Sequence, residues 1–175
     1  QTIGIIGLGR IGSAVAKKLK NLNVKILAYD PYVKKVIGGV KIVDFPELIE
    51  KSDYITIHTP LNEETKHIFN QKIFKQMKKS AYLINTARGG VIDQKALFEA
   101  LNNKEIKGAA LDVLENEPPD WSEIPQLENL ILTPHAAFYS ESSFEELKKR
   151  TAQAVVDVLQ GKSISNLFKH QKAPS

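Results

Sequence analysis

Short apolar runs rich in β-branched residues alternate along the chain with stretches in which apolar residues recur at the helical period. This alternation is typical of a parallel sheet whose strands are joined by crossover helices. Most of the runs are apolar throughout, as expected of strands that are covered on both faces. The predicted strands are Thr2–Ile6, Val24–Tyr29, Val40–Val43, Tyr54–His58, Ala81–Asn85, Ala109–Val113 and Leu130–Leu132.

Stretches of helical period lie between these runs, and a longer one follows the last of them. In the longer one, Ser142 and Glu145 have the spacing of a capping box, and Gly161 supplies a stop. We expect residues 1–161 to form one domain and residues 162–175 to form a polar tail. The four shorter helices are predicted over Arg10–Lys20, Pro46–Lys51, Gln71–Met77 and Gln94–Leu101.

The composition is that of an ordinary globular domain, because 42% of the 175 residues are hydrophobic and 25% are charged. No apolar run reaches the ~20 residues of a membrane helix, and a net charge of +4 is too small to indicate nucleic-acid binding. We therefore expect neither a membrane nor a nucleic acid as partner. Cysteine is absent, which excludes disulfides and is compatible with a reducing compartment, so we expect a cytoplasmic protein. Because the chain starts at Gln1, directly before a predicted strand, we expect it to be a piece of a longer protein.

A glycine-rich loop directly follows the first predicted strand and opens the first predicted helix. It has the form G-x-G-x-x-G, with glycines at Gly7, Gly9 and Gly12. The first glycine permits a tight turn, the second lets the backbone approach a pyrophosphate, and the third allows close packing of helix on strand. The pyrophosphate is then expected at the positive N-terminal end of the helix.

A second marker of dinucleotide binding follows this loop. Asp30 ends the second predicted strand, 18 residues after Gly12. A carboxylate there accepts hydrogen bonds from ribose hydroxyls and repels a 2′-phosphate, which favours NAD over NADP. Lys34 and Lys35 follow closely and leave some tolerance of NADP open. Together these features predict an α/β domain of the Rossmann type, a doubly wound parallel sheet that binds NAD.

Five motifs in register give the chain a specific resemblance. They are Gly7-Leu8-Gly9-Arg10-Ile11-Gly12, His58-Thr59-Pro60-Leu61, Asn85-Thr86-Ala87-Arg88-Gly89-Gly90-Val91-Ile92-Asp93, Leu111-Asp112-Val113-Leu114-Glu115-Asn116-Glu117-Pro118 and Thr133-Pro134-His135. In order and approximate spacing the chain resembles, over nearly its whole length, the NAD-binding domain of the D-isomer-specific 2-hydroxyacid dehydrogenases, of the phosphoglycerate dehydrogenase kind. The resemblance implies an NAD-dependent oxidoreductase that transfers a hydride between NAD(H) and a 2-oxo or D-2-hydroxy acid.

The resemblance also implies three catalytic residues. His135 matches the family's general acid/base, for which imidazole is suited because its ordinary pKa of about 6.5 lies near working pH. Glu117 matches the carboxylate that hydrogen-bonds and tunes this ring, and Arg88 matches the arginine that anchors the substrate carboxylate. Each follows a predicted strand, at the sheet edge where ligands bind in open α/β folds.

The remaining matches concern the cofactor. His58 and His67 are interpreted as ordinary polar loop residues, and no set of His, Asp and Glu has the spacing of metal ligands, so we expect no metal site. The residues expected to bind NAD are Gly7, Gly9, Arg10, Ile11, Gly12, Asp30, Thr59, Pro60, Thr65, Thr86, Ala87 and Asp112.

Two departures from the family pattern bear on function. The family has a substrate domain built mostly upstream of the nucleotide fold, and this chain lacks it, so we expect NAD binding but poor turnover by the chain alone. The stretch Ala136-Ala137-Phe138-Tyr139-Ser140 looks more like the branch that contains the C-terminal-binding-protein corepressors. The alternative to an enzyme is therefore an NAD(H)-sensing interaction protein of the same fold. The resemblance also implies a homodimer, because the family pairs through the nucleotide domain and its flanking helices.

Overall fold

The structure is a computed structural model that describes residues 1–33 and 38–162. The chain divides into two compact units, Gln1–Ala137 and Phe138–Ser175. The predicted extent of the nucleotide-binding domain, residues 1–161, stays a prediction. Lys34 and Lys35 lie outside the described residues, as does the predicted tail beyond Lys162.

The first unit contains a sheet of seven strands that pair in parallel throughout, in the order β3-β2-β1-β4-β5-β6-β7. This topology confirms the predicted doubly wound α/β fold of the Rossmann type. The first and last strands have the predicted bounds, four others differ by one residue at one end, and the sixth begins one residue earlier and ends two residues earlier than predicted. The strands are β1 Thr2–Ile6, β2 Lys25–Tyr29, β3 Val40–Ile42, β4 Tyr54–Ile57, β5 Tyr82–Asn85, β6 Gly108–Leu111 and β7 Leu130–Leu132.

The helices of this unit also confirm the predicted pattern, with ends that differ by one residue. Lys20 leaves the first helix and starts a short 3₁₀ turn, Lys20–Leu22. Phe45 joins the second helix because the Asp44 side chain caps it by accepting from the Glu47 N–H at 2.8 Å. The helices are α1 Arg10–Leu19, α2 Phe45–Lys51, α3 Gln71–Gln76 and α4 Gln94–Asn102.

Helices cover both faces of the sheet. Successive residues of β1 point to opposite faces, so Ile5 and Ile6 belong to different apolar clusters. Ile5 packs with Ala16 of α1, whereas Ile6 belongs to the larger cluster that includes residues of α2, α3 and α4. The buried helix residues of that larger cluster are Leu48, Ile49, Phe74, Ala96, Leu97, Ala100 and Leu101.

The strand order reverses at β1. β1 pairs with β2 on one side and with β4 on the other, so the chain proceeds from β1 toward one edge of the sheet and, after it returns to β4, proceeds toward the other edge. Such a reversal opens a crevice at the carboxyl ends of the two strands, which is where open α/β sheets bind ligands. The predicted cofactor residues of the first, second and fourth strand ends therefore meet at this edge.

The second unit contains helix α5, Glu141–Leu159. The predicted capping box of Ser142 and Glu145 is wrong, because the helix begins two residues earlier. Ser140 and Ser143 form the box instead: the Ser143 N–H donates to Ser140 Oγ at 3.1 Å, and the Ser140 N–H donates to Ser143 Oγ at 2.8 Å. The predicted stop is confirmed, since Gly161 directly follows the last turn with a φ of +70°. None of the described helices is long and apolar enough to span a membrane.

Substitution of a buried and of an exposed leucine should affect the stability of the fold differently. Leu97 on α4 is fully buried, so Leu97→Ala should lower the free energy of unfolding by about 2–5 kcal/mol through lost burial and the cavity it leaves. Leu22 is 63% exposed, so Leu22→Ala should change the free energy of unfolding by less than about 0.5 kcal/mol. Urea denaturation of both variants checks this, and equal losses would contradict the described core.

Candidate functional site

The glycine turn after β1 has a backbone that requires glycine. Gly7 has a φ of +89°, and its N–H donates to the Tyr29 carbonyl at 2.8 Å. A Cβ on Gly7 would lie 2.8 Å from the His58 carbonyl oxygen, and a Cβ on Gly12 would overlap the Gly7 carbonyl. A Cβ on Gly9, which precedes α1, would meet no atom within 4 Å. The turn is thus packed tightly on its inner side and open at the helix N-terminus, as a pyrophosphate site requires.

Asp30 is tied to this turn. Its Oδ2 accepts from the Leu8 N–H at 2.8 Å and its Oδ1 accepts from the Tyr32 N–H at 2.9 Å. Each carboxylate oxygen can accept more than one hydrogen bond, so Asp30 can also receive ribose hydroxyls. Arg10 and Ile11 lie in the first turn of α1 and are exposed there. These residues fit a dinucleotide laid across the turn.

The loop after β4 forms the other wall of the crevice. The Thr59 side chain lies against Gly7, and its Oγ1 is buried without a hydrogen-bond partner among the described residues. Such an unsatisfied hydroxyl is costly, and it marks the place where a further hydrogen-bonding group would be stabilising. Thr65 closes the loop, because its Oγ1 donates to the Pro60 carbonyl at 2.7 Å and accepts from the Asn62 N–H at 2.9 Å. Pro60 itself is exposed.

A buried asparagine shapes the turn after β5. Asn85 is fully buried; its Nδ2 donates to the Arg88 carbonyl at 2.9 Å, and its Oδ1 accepts from the Ala87 N–H at 3.0 Å. The turn presents Thr86 and Arg88 at the surface, where Arg88 Nη1 donates to the Ala87 carbonyl at 2.6 Å. Sequence reasoning missed Asn85 as part of the site. The available signal was a lone amide at the end of an otherwise apolar strand.

His135 and Glu117 form a direct pair. His135 Nδ1 lies 2.8 Å from Glu117 Oε2, and Glu117 Oε1 accepts from the Leu114 N–H at 2.9 Å. Because an ionised carboxylate can only accept, Nδ1 carries the proton of this bond, and Nε2 is the other ring nitrogen. His135 has a φ of +52°, a left-handed conformation that His adopts more readily than most residues.

The electrostatics of the pair favour a charged glutamate. Partial burial by itself raises the pKa of Glu117, but the hydrogen bonds from the Leu114 N–H and the His135 ring outweigh it and hold the pKa below its usual value. Glu117 therefore stays ionised at neutral pH and can stabilise a positive charge on the ring.

Asp112 organises the loop that carries His135. It is buried, with Oδ1 accepting from the Thr133 hydroxyl and from the Ala136 N–H at 2.9 Å, and with Oδ2 accepting from the Ala137 N–H at 2.8 Å. Burial raises the pKa of Asp112, but these hydrogen bonds and the nearby His135 lower it on balance. The expected contact of Asp112 with the nicotinamide carboxamide stays a prediction.

The three predicted catalytic residues share one cavity. Arg88, Glu117 and His135 line a space of about 190 Å³, together with Leu61 and other residues of the turns after β5 and β6. Thr86 and Asp112 line a neighbouring cavity of about 400 Å³ with the end of β7. In the described part of the chain, no three His, Asp or Glu residues are grouped so that they could hold a metal ion.

Comparison with known proteins gives a consistent picture. Residues 1–137 match the sequence model of the D-isomer specific 2-hydroxyacid dehydrogenase NAD binding domain. The chain is 41% identical to D-3-phosphoglycerate dehydrogenase of Methanocaldococcus jannaschii, over 99% of this chain and 34% of that protein. It is 45% identical to glyoxylate reductase of Thermofilum pendens, over 92% of this chain and 49% of that protein. The chain thus spans half or less of the length of these relatives.

A solved structure agrees with the sequence relatives. D-lactate dehydrogenase with NAD⁺ from Lactobacillus jensenii superposes with a TM-score of 0.87 at 34% identity, over 97% of this chain and 56% of that chain. The glycine turn and Asp30 of this chain fit the same cofactor. The chain therefore belongs to the D-isomer specific 2-hydroxyacid dehydrogenases, of which it contains the NAD binding domain.

Proposed function

We propose that the protein containing this chain transfers a hydride between NAD(H) and a 2-oxo or D-2-hydroxy acid. The observation that supports the proposal is the His135–Glu117 pair, which shares a cavity with Arg88 beside the dinucleotide crevice. The relatives named above are a dehydrogenase and a reductase, which favours the enzyme over the corepressor-like interaction protein. The absence of cysteine is compatible with a cytoplasmic location, which we also propose.

The three side chains have complementary tasks in this reaction. NADH, when bound, supplies the hydride. His135 holds its Nδ1 proton toward Glu117, so its Nε2 gives a proton to the carbonyl oxygen during reduction and takes the hydroxyl proton in the reverse direction. Ionised Glu117 stabilises the charged ring that must give up the proton. Arg88 offers a planar fork of donors, which matches a substrate carboxylate.

The residues of the crevice hold the cofactor in this proposal. The open glycine turn receives the pyrophosphate, Asp30 accepts the ribose hydroxyls, and Asp112 accepts from the carboxamide. The remaining contacts come from residues around these three groups, namely Arg10, Ile11, Thr59, Pro60, Thr65, Thr86 and Ala87.

Removal of the imidazole tests the acid/base assignment. In the full-length protein, His135→Ala should lower kcat for 2-oxo acid reduction by about 10²- to 10⁴-fold, because proton transfer to the carbonyl oxygen is lost. NADH affinity, measured by fluorescence titration, should change little, since the glycine turn is intact. Turnover near the wild-type rate would end the assignment.

The preference between cofactors tests Asp30. NADH should bind more tightly than NADPH, because the carboxylate repels a 2′-phosphate. Asp30→Asn keeps the size of the side chain but removes the charge, so it should narrow the difference between the affinities for NADH and NADPH. Glu47→Gln is the matched control, because Glu47 lies near Thr2 and Lys25, at the amino ends of the strands. Equal affinities of the wild-type protein for both cofactors would remove Asp30 from the ribose role.

We also propose that the protein is a homodimer. The resemblance implies pairing through the nucleotide domain and its flanking helices, and closed two-fold dimers are the commonest oligomers. On α5, Leu147, Val155 and Val158 are more than half exposed, which is typical of residues at an interface. Sedimentation should give twice the mass of the protomer, and a monomer at high concentration would contradict the proposal.

A further inference from the structure

One residue joins the two turns that carry the proposed catalytic groups. The backbone N–H of His67 donates to the Gly90 carbonyl at 2.9 Å, in the turn that follows Arg88. The ring of the same residue bonds to the other turn, since His67 Nε2 lies 2.6 Å from Glu115 Oε1. His67 has a φ of +50°, a left-handed backbone conformation that is uncommon for residues other than glycine. The expectation that His67 is an ordinary polar loop residue is therefore incomplete.

Glu115 has a second attachment, to the start of α4. Its N–H donates to Gln94 Oε1 at 3.1 Å, and its Oε2 accepts from the Gln94 N–H at 3.4 Å. This reciprocal pair lies at the N-terminus of α4, where the helix dipole favours a negative charge. Glu115 is two residues before Glu117, so both its bonds restrain the segment that holds the catalytic pair.

The two turns also touch directly. A Cβ on Gly89 would overlap the Leu114 carbonyl, and it would lie 2.5 Å from the Glu115 N atom. Gly89 immediately follows Arg88, and Leu114 donates its N–H to Glu117. Only a glycine permits this approach, so any slip between the turns would change the distance from Arg88 to Glu117.

We propose that Glu115, held by His67 and Gln94, is a positioning residue that sets the separation of Arg88 from the Glu117–His135 pair. The inference rests on the proposed function, because it assigns the anchor of the substrate carboxylate to one turn and the acid/base pair to the other. Reaction of a 2-oxo acid requires its carboxylate and its carbonyl oxygen to meet these groups at once. A misplacement of about 1 Å can cost about 100-fold in rate, so a fixed separation is part of the machinery.

Removal of the Glu115 carboxylate tests this in the full-length protein. Glu115→Ala should raise KM for the 2-oxo acid and lower kcat, with a combined loss of about 10- to 100-fold in kcat/KM. KM for NADH should stay within about two-fold, because the glycine turn is not involved. Glu115→Gln keeps an oxygen that accepts from His67 and should recover most of the loss. If Glu115 had a purely structural role, Glu115→Ala would reduce the amount of folded protein without changing kcat or KM for the 2-oxo acid.

Two further variants keep the test decisive if Glu115→Ala does not fold. His67→Asn tolerates the left-handed backbone but shortens the side chain that reaches Glu115, so it should give a similar loss. Gln94→Ala removes the side-chain oxygen that accepts from the Glu115 N–H and should give a smaller loss of kcat/KM. Glu47→Gln, which breaks ion pairs with Lys41 and Lys51, is the control and should match the wild type.

Amide hydrogen exchange supplies a measurement that does not depend on activity. The N–H groups of Leu114 and His67, which bond to Glu117 and Gly90, should exchange faster in Glu115→Ala than in the wild type. Unchanged exchange together with a kcat/KM within two-fold of the wild type would overturn the proposal. Failure of the wild-type protein to reduce any 2-oxo acid would instead overturn the proposed function, and the exchange data would still decide the positioning role.

Discussion

Parallel pairing is the constraint on which the site depends. All seven strands run the same way, so all of their carboxyl ends lie along one edge of the sheet. Residues that are far apart in the chain meet there because each lies in a loop that follows a strand. His135 and Glu117 are 18 residues apart, and His67 and Glu115 are 48 apart, yet both pairs are in direct contact. The strands and the helices between them contribute the core, and the polar residues of the candidate site lie in the loops at this edge.

Buried polar groups convert these strand ends into defined turns. Asn85 is the last residue of β5, and Asp112 directly follows the neighbouring strand β6. Both side chains are buried in an otherwise apolar interior, where an unsatisfied polar group would be costly. Each side chain therefore forms hydrogen bonds with the backbone of a loop. Asn85 bonds the turn that carries Arg88, and Asp112 bonds the loop that carries His135. Through these hydrogen bonds, the two buried side chains fix the positions of the loops that carry Arg88 and His135. Removal of either one would release a loop as well as break hydrogen bonds.

Local signals made much of the fold predictable. The glycine loop, the apolar strands and Asp30 all depend on residues that are close in sequence, and the structure differs from the predicted elements mainly at their ends. The predicted cap of α5 is wrong because several serines near the start of this helix could act as the N-cap residue. Only the backbone conformation shows that Ser140 is that residue. Contacts between distant loops could not be predicted. Nothing near His67 in the sequence indicates that its ring reaches Glu115, 48 residues further along. Asn85 is marked by a lone amide at the end of an apolar strand, but that signal does not specify which groups of the turn the amide bonds.

The exposure of the His135–Glu117 pair indicates what the proposed reaction still requires. The side chains of His135 and Glu117 are 45% and 38% exposed, so water screens the attraction between them in this chain. The same pair stabilises a charged ring more strongly when water is excluded, and a desolvated cleft also strengthens the hold of Arg88 on a carboxylate. The relatives named above are about two to three times as long as the region they share with this chain. In the proposed reaction, the residues described here align the reacting groups, and the exclusion of water requires a cover over this exposed pair.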